Sequence, residues 1–252
     1  MSGGHTPEPQ FTEDRLLGGR VRLRQPAAGY RVAIDPVFLA AAIPAEPHQS
    51  VLDVGCGVGA AMLCLAARVP SCRVVGVEMQ RDLVRLAGDN IILNGMESRL
   101  SVMQGDLAVP PPRLSFGSFD HVMANPPFHD PARVTPPSLP GKAAATVEGE
   151  ADLAAWVRFA LAMARAKGTV TFIHRADRLD ALLAQIAGRA GEVVIFPLWA
   201  GAGKPASRVL VRARKQVAAP ARLAAGLVLH APDGSYTAPA EAVLREGEGL
   251  DL

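Results

Sequence analysis

The sequence predicts an α/β fold built on a mostly parallel sheet of seven strands, with helices on its faces and the last strand reversed. Three observations carry that expectation. Short apolar runs alternate with stretches of helical periodicity, the pattern of strands joined by crossover helices. A glycine-rich turn separates the first run from the first of those helices. The last two runs are joined by a short Gly/Pro-rich connection, which suits an antiparallel pair.

Taken in order, Ser50-Val51-Leu52-Asp53-Val54 reads as the first strand of the sheet, and Ala60 to Val69 as the helix after it. Arg73 to Val77 is the second strand, Arg81 to Asn94 the next helix, and Leu100 to Met103 the third strand. Phe119 to Ala124 is the fourth strand. Asp152 to Ala166 has apolar residues at helical spacing, with Lys167-Gly168 as its stop. Thr169 to His174, Glu192 to Pro197 and Ser207 to Arg214 complete the strands, with a helix over Asp177 to Ala190. This is a Rossmann-like succession.

Ahead of this core, Arg20 to Arg24 alternates like an edge strand and Tyr30 to Ile34 resembles it, so the two are expected to pair as a hairpin. Asp35-Pro36 reads as a helix start, with Asp35 as N-cap and Pro36 in the first turn. After the core, Leu227 to His230, the turn Pro232-Asp233-Gly234 and a short helix near Ala240 to Arg245 form an appendage. The expected division is a disordered lead-in over 1–12 and a single domain over 13–252. Within that domain, 13–48 is a hairpin and helix, 49–215 the core and 216–252 the appendage. Pro110-Pro111-Pro112 reads as a connector, and the proline-rich stretch 129–150 as a mobile substrate-side loop carrying Arg133 and Lys142.

Composition narrows the class. Apolar residues make up 49% and charged residues 20% of the 252, which suits a packed core and not a disordered chain. No apolar run approaches membrane-spanning length, and the polar start lacks a signal-peptide pattern, so a cytoplasmic protein is expected. Cys56, Cys64 and Cys72 form no Cys-x-x-Cys pair and read as apolar fillers, not as a disulfide or metal set. A net charge of +2 does not by itself demand a nucleic-acid partner. Arg15, Arg20, Arg22, Arg24 and Arg31 cluster early, and Arg208, Arg212, Arg214, Lys215 and Arg222 late. They would form a phosphate-binding rim only if folding gathered them.

The glycine turn, Asp53-Val54-Gly55-Cys56-Gly57-Val58-Gly59-Ala60, lets backbone approach a nucleotide-like ligand. Gly55-x-Gly57-x-x-Ala60 also satisfies a relaxed dinucleotide fingerprint. Asp53 favours a different ligand. An acid in the turn is badly placed for a pyrophosphate and well placed for an ammonium or sulfonium, and S-adenosylmethionine carries both. Glu78, followed by Met79, ends the second strand, where a carboxylate meets ribose hydroxyls. Asp106-Leu107 comes after the third strand, where Asp106 would accept a bond from an adenine amine. The expected cofactor set is therefore Asp53, Gly55, Cys56, Gly57, Gly59, Glu78, Met79, Asp106 and Leu107, joined by Asn125 and Asp35. Asp35 has two readings, a contact to the methionine end or the helix cap. No metal is expected.

Asn125-Pro126-Pro127-Phe128 comes after the fourth strand and resembles the catalytic loop of enzymes that methylate a planar sp2 nitrogen. Such a nitrogen is a poor nucleophile because its lone pair is delocalised. The Asn125 side-chain oxygen and the Pro126 carbonyl would accept its N–H bonds, the prolines stiffen the loop, and Phe128 offers a face for a flipped base.

With these motifs the chain resembles a Rossmann-like class I S-adenosylmethionine-dependent methyltransferase. The opening Phe11-Thr12-Glu13-Asp14, Leu17-Gly18-Gly19-Arg20-Val21-Arg22-Leu23-Arg24-Gln25-Pro26 and Ile34-Asp35-Pro36-Val37-Phe38 is similar to the bacterial tRNA N6-adenosine methyltransferase family. Gly203-Lys204-Pro205-Ala206-Ser207-Arg208 and Gly234-Ser235-Tyr236-Thr237 fit the same family. The resemblance implies N6-methylation of the adenosine beside the anticodon of a valine tRNA, with tRNA as partner. Phe128-His129 also resembles guanine-N2 methyltransferases of ribosomal RNA, and a glutamine amide suits the same loop chemistry. A non-catalytic RNA-recruiting module and an NAD-dependent oxidoreductase are the readings from other classes. His129 reads as a loop residue or phosphate contact.

Overall fold

The computed structural model describes residues 11–27, 31–108, 110–127 and 150–252. Strand β1 (Phe11–Leu16) pairs antiparallel with β2 (Val21–Pro26) in a separate two-stranded sheet. Helix α1 (Asp35–Ala41) leads to β3 (Ser50–Val54), α2 (Ala60–Arg68), β4 (Arg73–Glu78), α3 (Arg81–Leu93), β5 (Leu100–Gln104) and β6 (Phe119–Ala124). Then come α4 (Glu150–Met163), β7 (Ala164–Arg175), α5 (Leu179–Ile186), β8 (Ala190–Trp199) and β9 (Ala206–Lys215). Short strands β10 (Arg222–Leu223) and β11 (Leu227–Val228) precede the terminal turn α6 (Ala238–Glu241).

The main sheet runs β10-β8-β9-β7-β6-β3-β4-β5, with β11 also beside β8. Strand β9 is antiparallel to both neighbours, and the remaining pairings are parallel. The central strands read as near-continuous apolar runs because both faces are covered. One face packs Val51, Val74, Met123 and Ile173 with Phe38 of α1 and Met62 and Leu63 of α2. The other packs Leu52, Val122, Val170 and Phe172 with Val157 of α4 and Leu182 of α5.

Several expectations are corrected. The partner of β2 is β1, not the 30–34 stretch, because Leu17, Gly18 and Gly19 all take positive φ and reverse the chain there. Thr12 and Phe11 thus lie inside a strand and not in a lead-in. Ile34 occupies the cap position of α1, with no side-chain cap bond, and Asp35 stands inside the helix instead. Among the described residues the sheet holds nine strands, because β10 and β11 of the expected appendage add to its edge along β8. Helix α4 ends at Met163, before Lys167-Gly168. Those two residues sit in a bulge of β7, where the register with β6 shifts between Phe119 and His121 and Lys167 has φ 62°. The 177–190 stretch is helical only to Ile186, and Ala190 already begins β8. The expected mobile loop, with Arg133, Lys142 and His129, lies outside the described residues, as do Tyr30 and Phe128.

Phe172 is fully buried at the centre of the sheet. Phe172→Ala is expected to cost roughly 3–5 kcal/mol through lost transfer energy and the cavity left behind. Urea unfolding at equilibrium measures it.

Candidate functional site

The parallel pairing of β3 with β6 aligns Asp53 with Met123 and Val54 with Ala124. The chain leaves both strands at the same end of the sheet, so the glycine turn after Val54 and the Asn125-Pro126-Pro127 tip after Ala124 emerge side by side. In β4, Gly76 aligns with Asp53 and Val77 with Val54, and β5 continues the row with Met103 beside Val77. Four strand ends therefore present Asn125, the glycine turn, Glu78 and Asp106 along one crevice, the place where ligands sit in open α/β sheets.

Backbone bonds fix the turn. The amides of Gly55 and Cys56 both donate to the Val77 carbonyl, at 2.8 and 3.0 Å. Glu78 braces the turn from its other side: one carboxylate oxygen accepts from the Gly57 amide at 3.1 Å and the other from the Gln80 amide at 2.9 Å. Gly55, Gly57 and Gly59 take φ of 66°, 55° and 88°, conformations that disfavour a side chain. At Gly55 there is also no room, since a β-carbon would stand 2.2 Å from the ring of Trp156. Trp156, on α4, thus brings the far face of the sheet up against the turn. A β-carbon at Gly57 would meet nothing within 4 Å, so space adjoins the backbone there.

Two polar atoms in this crevice have no partner among the described residues: Asp53 Oδ2 and Asn125 Oδ1, both buried. Leaving a buried acceptor unpaired costs on the order of 1–3 kcal/mol. Burial pushes the Asp53 carboxyl up to about 8, with the Met62 backbone opposing and the Glu78 charge adding to the rise. Other buried polar atoms are also unpartnered among the described residues, Arg68 Nε and Thr171 Oγ1 for instance, but Asp53 and Asn125 are the pair at neighbouring strand ends beside the glycine turn, where a ligand would complete them. Burial also holds the Cys56 thiol well above its usual range, so it is inert packing beside Gly76.

The remaining expected site residues divide between the crevice and the rest of the fold. Asp106 is exposed and accepts from the Ala108 amide at 2.9 Å. Gly105, just before it, donates to the Glu78 carbonyl at 3.0 Å and is covered by the ring of Pro111, so the proline connector packs at the β5 end. Met79 is 56% exposed and Leu107 half-buried. Pro126 is buried and Pro127 half-buried. Asp35 lies in the first turn of α1. It is buried in an ion pair with Arg208 Nε at 2.9 Å, and Arg208 pairs across β9–β7 with Arg175 at the end of β7. No signal in the sequence linked Asp35 to a residue so far along the chain. Trp156 was likewise missed, being one apolar position among many on a helix.

The late arginine cluster is drawn out along one strand, and several members of both clusters are paired. Arg208 to Lys215 are spread along β9, a span of roughly 23 Å at strand spacing. Arg22 and Arg24 pair with Glu13, Arg31 with Asp14, and Arg214 with Glu192. Among the described residues no cluster of His, Cys, Asp or Glu could hold a metal ion, and no helix is long and apolar enough to cross a membrane.

Residues 31–139 match the family model of the methyltransferase small domain. The chain is 31% identical over 103 residues to the tRNA1(Val) (adenine(37)-N6)-methyltransferase of Yersinia enterocolitica, a stretch covering 40% of this chain and 41% of that protein. It is 32% identical over 106 residues to the enzyme of the same name from Yersinia pestis, again 40% and 41% of the two chains. The chain thus matches about two fifths of the length of these curated relatives. Among solved structures, the predicted O-methyltransferase Atu636 of Agrobacterium tumefaciens superposes with a TM-score of 0.72, at 22% identity over 86% of this chain and 98% of that one. Pyrococcus horikoshii TYW2 in complex with MeSAdo superposes at 0.55, with 13% identity over 82% and 72% of the two chains. The fold is the Rossmann-like class I methyltransferase fold.

Gly55→Ala is expected to destabilise the protein by about 1–3 kcal/mol, from overlap with Trp156 and the positive φ. Part of that loss should return in the Gly55→Ala, Trp156→Ala double variant relative to the sum of the single changes. A double-mutant cycle by chemical denaturation reads the coupling.

Proposed function

We propose that this chain, which carries a methyltransferase small domain on a class I fold, methylates the N6 amine of an adenosine in tRNA with S-adenosylmethionine as donor. The observation that carries this reading is the pair of unpartnered buried oxygens, Asp53 Oδ2 and Asn125 Oδ1, at adjacent strand tips. One suits a cation and the other the N–H of an amine. The names of the Yersinia relatives support the substrate.

The residues fit the donor. Asp53 would hold its ammonium group beside the glycine turn. Glu78 already accepts two backbone amides. A carboxylate has about four lone-pair directions, which leaves capacity for the ribose hydroxyls. Gly57 leaves space against its backbone. Asp106 has its second oxygen for an adenine amine, with Met79 and Leu107 as flanking apolar surface. When bound, the donor supplies an electrophilic methyl group on a sulfonium.

The chain's own residues do the rest. Asn125 Oδ1 and the Pro126 carbonyl accept the two N–H bonds of the target amine. As those bonds are held out of the ring plane, the nitrogen lone pair turns toward the methyl group. Pro126 and Pro127 restrict the tip so that the acceptors are set in advance. Phe128 would stack on the flipped base. Forming the N–C bond would break the donor's C–S bond and release S-adenosylhomocysteine; the cationic nitrogen so formed is acidic and loses its proton to water, so no strong base is required. A pure RNA-recruiting module has no use for an amine acceptor held buried and unpaired at that position.

Asn125→Ala should lower turnover by more than about 100-fold, the scale of losing a preorganised acceptor. Binding of S-adenosylhomocysteine should stay within about threefold, since Asp53 and Glu78 are untouched. The assay is methyl transfer to tRNA from a strain lacking the protein, with mass spectrometry of the nucleosides as the readout. N6-methyladenosine is the expected product. N2-methylguanosine, or methylated glutamine in a protein fraction, would replace the substrate assignment.

Binding should also be linked to pH. With the Asp53 carboxyl near 8 in the free protein, it is protonated at pH 6 and must lose that proton to hold a cation. Affinity should therefore rise by close to tenfold per unit between pH 6 and 7 and flatten above 8. Asp53→Asn should bind more weakly and lose this slope. Calorimetry at several pH values with S-adenosylhomocysteine checks both.

A further inference from the structure

Helix α3 carries Asn90, and Asn94 caps its C-terminal end one turn later; both face the free edge of β2. Asn90 Oδ1 accepts from the Arg24 amide at 2.8 Å, and its Nδ2 donates to the Arg24 carbonyl at 2.8 Å. Asn94 repeats the pattern on Arg22, at 2.9 and 2.7 Å. The spacing is commensurate. Four residues of helix rise about 6 Å and two residues of strand about 6.6 Å, so successive outward-facing amides of β2 meet successive side chains of α3. The helix thus completes the hydrogen bonding of the hairpin as a further strand would, which also caps an open edge.

The two asparagines differ in one respect. Asn90 is fully buried, and its Nδ2 makes a second bond, to the Val58 carbonyl at 2.9 Å. Val58 lies between Gly57 and Gly59, inside the turn. With one oxygen on an amide and its nitrogen on two carbonyls, the orientation of the Asn90 side chain is fixed by its partners. Asn94 donates instead to the Asn90 carbonyl of its own helix, at 2.7 Å.

We propose that Asn90 is a positioning residue that holds the Gly57-Val58-Gly59 turn from α3, so that donor affinity depends on its bond to the Val58 carbonyl. This rests on the reading that the turn holds S-adenosylmethionine. A turn with three glycines at positive φ has many accessible states when released, and a carbonyl held from outside removes them before the ligand arrives. The hairpin is itself tied to the chain before α1: Gln25 accepts from the Val32 amide at 2.8 Å, and Arg31 pairs with Asp14 at 2.9 Å. The Asn90 amide thereby joins the turn and this segment, which also share one apolar cluster through Val21, Leu23 and Val58.

The test compares Asn90→Ala and Asn90→Asp with Asn94→Ala in the full chain. The readouts are affinity for S-adenosylhomocysteine by calorimetry and the thermal midpoint. Both Asn90 variants should bind at least about tenfold more weakly, the scale of losing a preorganised loop. Asn94→Ala, which loosens the hairpin without touching Val58, should bind within about twofold of the parent even where its midpoint falls as far. Unchanged affinity in a folded Asn90→Ala, or an equal loss in Asn94→Ala, overturns the clamp. Should the Asn90 variants not fold, hydrogen exchange on the parent protein decides. The Arg24 amide should exchange several-fold more slowly once S-adenosylhomocysteine is added, and an unchanged rate overturns the coupling. A parent protein that does not bind S-adenosylhomocysteine at all overturns the proposed function beneath it, a result distinct from bound ligand with indifferent variants.

Discussion

Everything at the site depends on the parallel register of β3 against β6. Val54 opposite Ala124 makes the two strands end together, so the glycine turn and the Asn125-Pro126-Pro127 tip are forced into one crevice. A slip of one residue would turn Asp53 from its present face to the other and carry Asn125 away from the turn. The register is held by burial on both faces. Val51 and Met123 lie in one cluster, Leu52, Val54, Val122 and Ala124 in the other, and each side chain is packed.

That framework supports polar groups that stability alone would not retain. Asp53 and Asn125 each keep a buried oxygen unpaired among the described residues, and the Asp53 carboxyl is pushed far from its ordinary range. Around them the same region is well bonded. Val77 accepts two amides, Glu78 accepts two more, and Asn90 bonds three backbone groups, using both of its donors. The contrast separates bracing from binding. Groups that hold the turn are satisfied within the protein. At these two strand ends the groups left open are those a cation and an amine would complete.

Much of this was legible from residue order, and the parts that were not have a physical cause. Strand β3 at Ser50–Val54 and β6 at Phe119–Ala124 begin and end as expected, because a strand buried on both faces reads as a largely apolar run, here broken by Asp53 and by Asp120-His121. The helix ends near β7 were misplaced because the Lys167-Gly168 pair carries the same signal in a bulge as at a helix terminus. The hairpin partner was misjudged because β2 alternates equally well against either neighbour, and the turn at Leu17-Gly18-Gly19 decided between them. At the site, Asp53, the glycines, Glu78 and Asn125 sit at strand ends and announce themselves by position. Trp156, Asn90 and the Asp35–Arg208 pair act across long sequence separations, and no local pattern marks such contacts.

If the two open oxygens face a shared space in which a cationic donor meets an amine, a crystal structure of the protein with S-adenosylhomocysteine will reveal it. The ligand's ammonium group is expected within hydrogen-bond distance of Asp53, with its sulfur directed toward Asn125 Oδ1. A ligand seated elsewhere, or an Asn125 oxygen turned away from the sulfur, would contradict this arrangement.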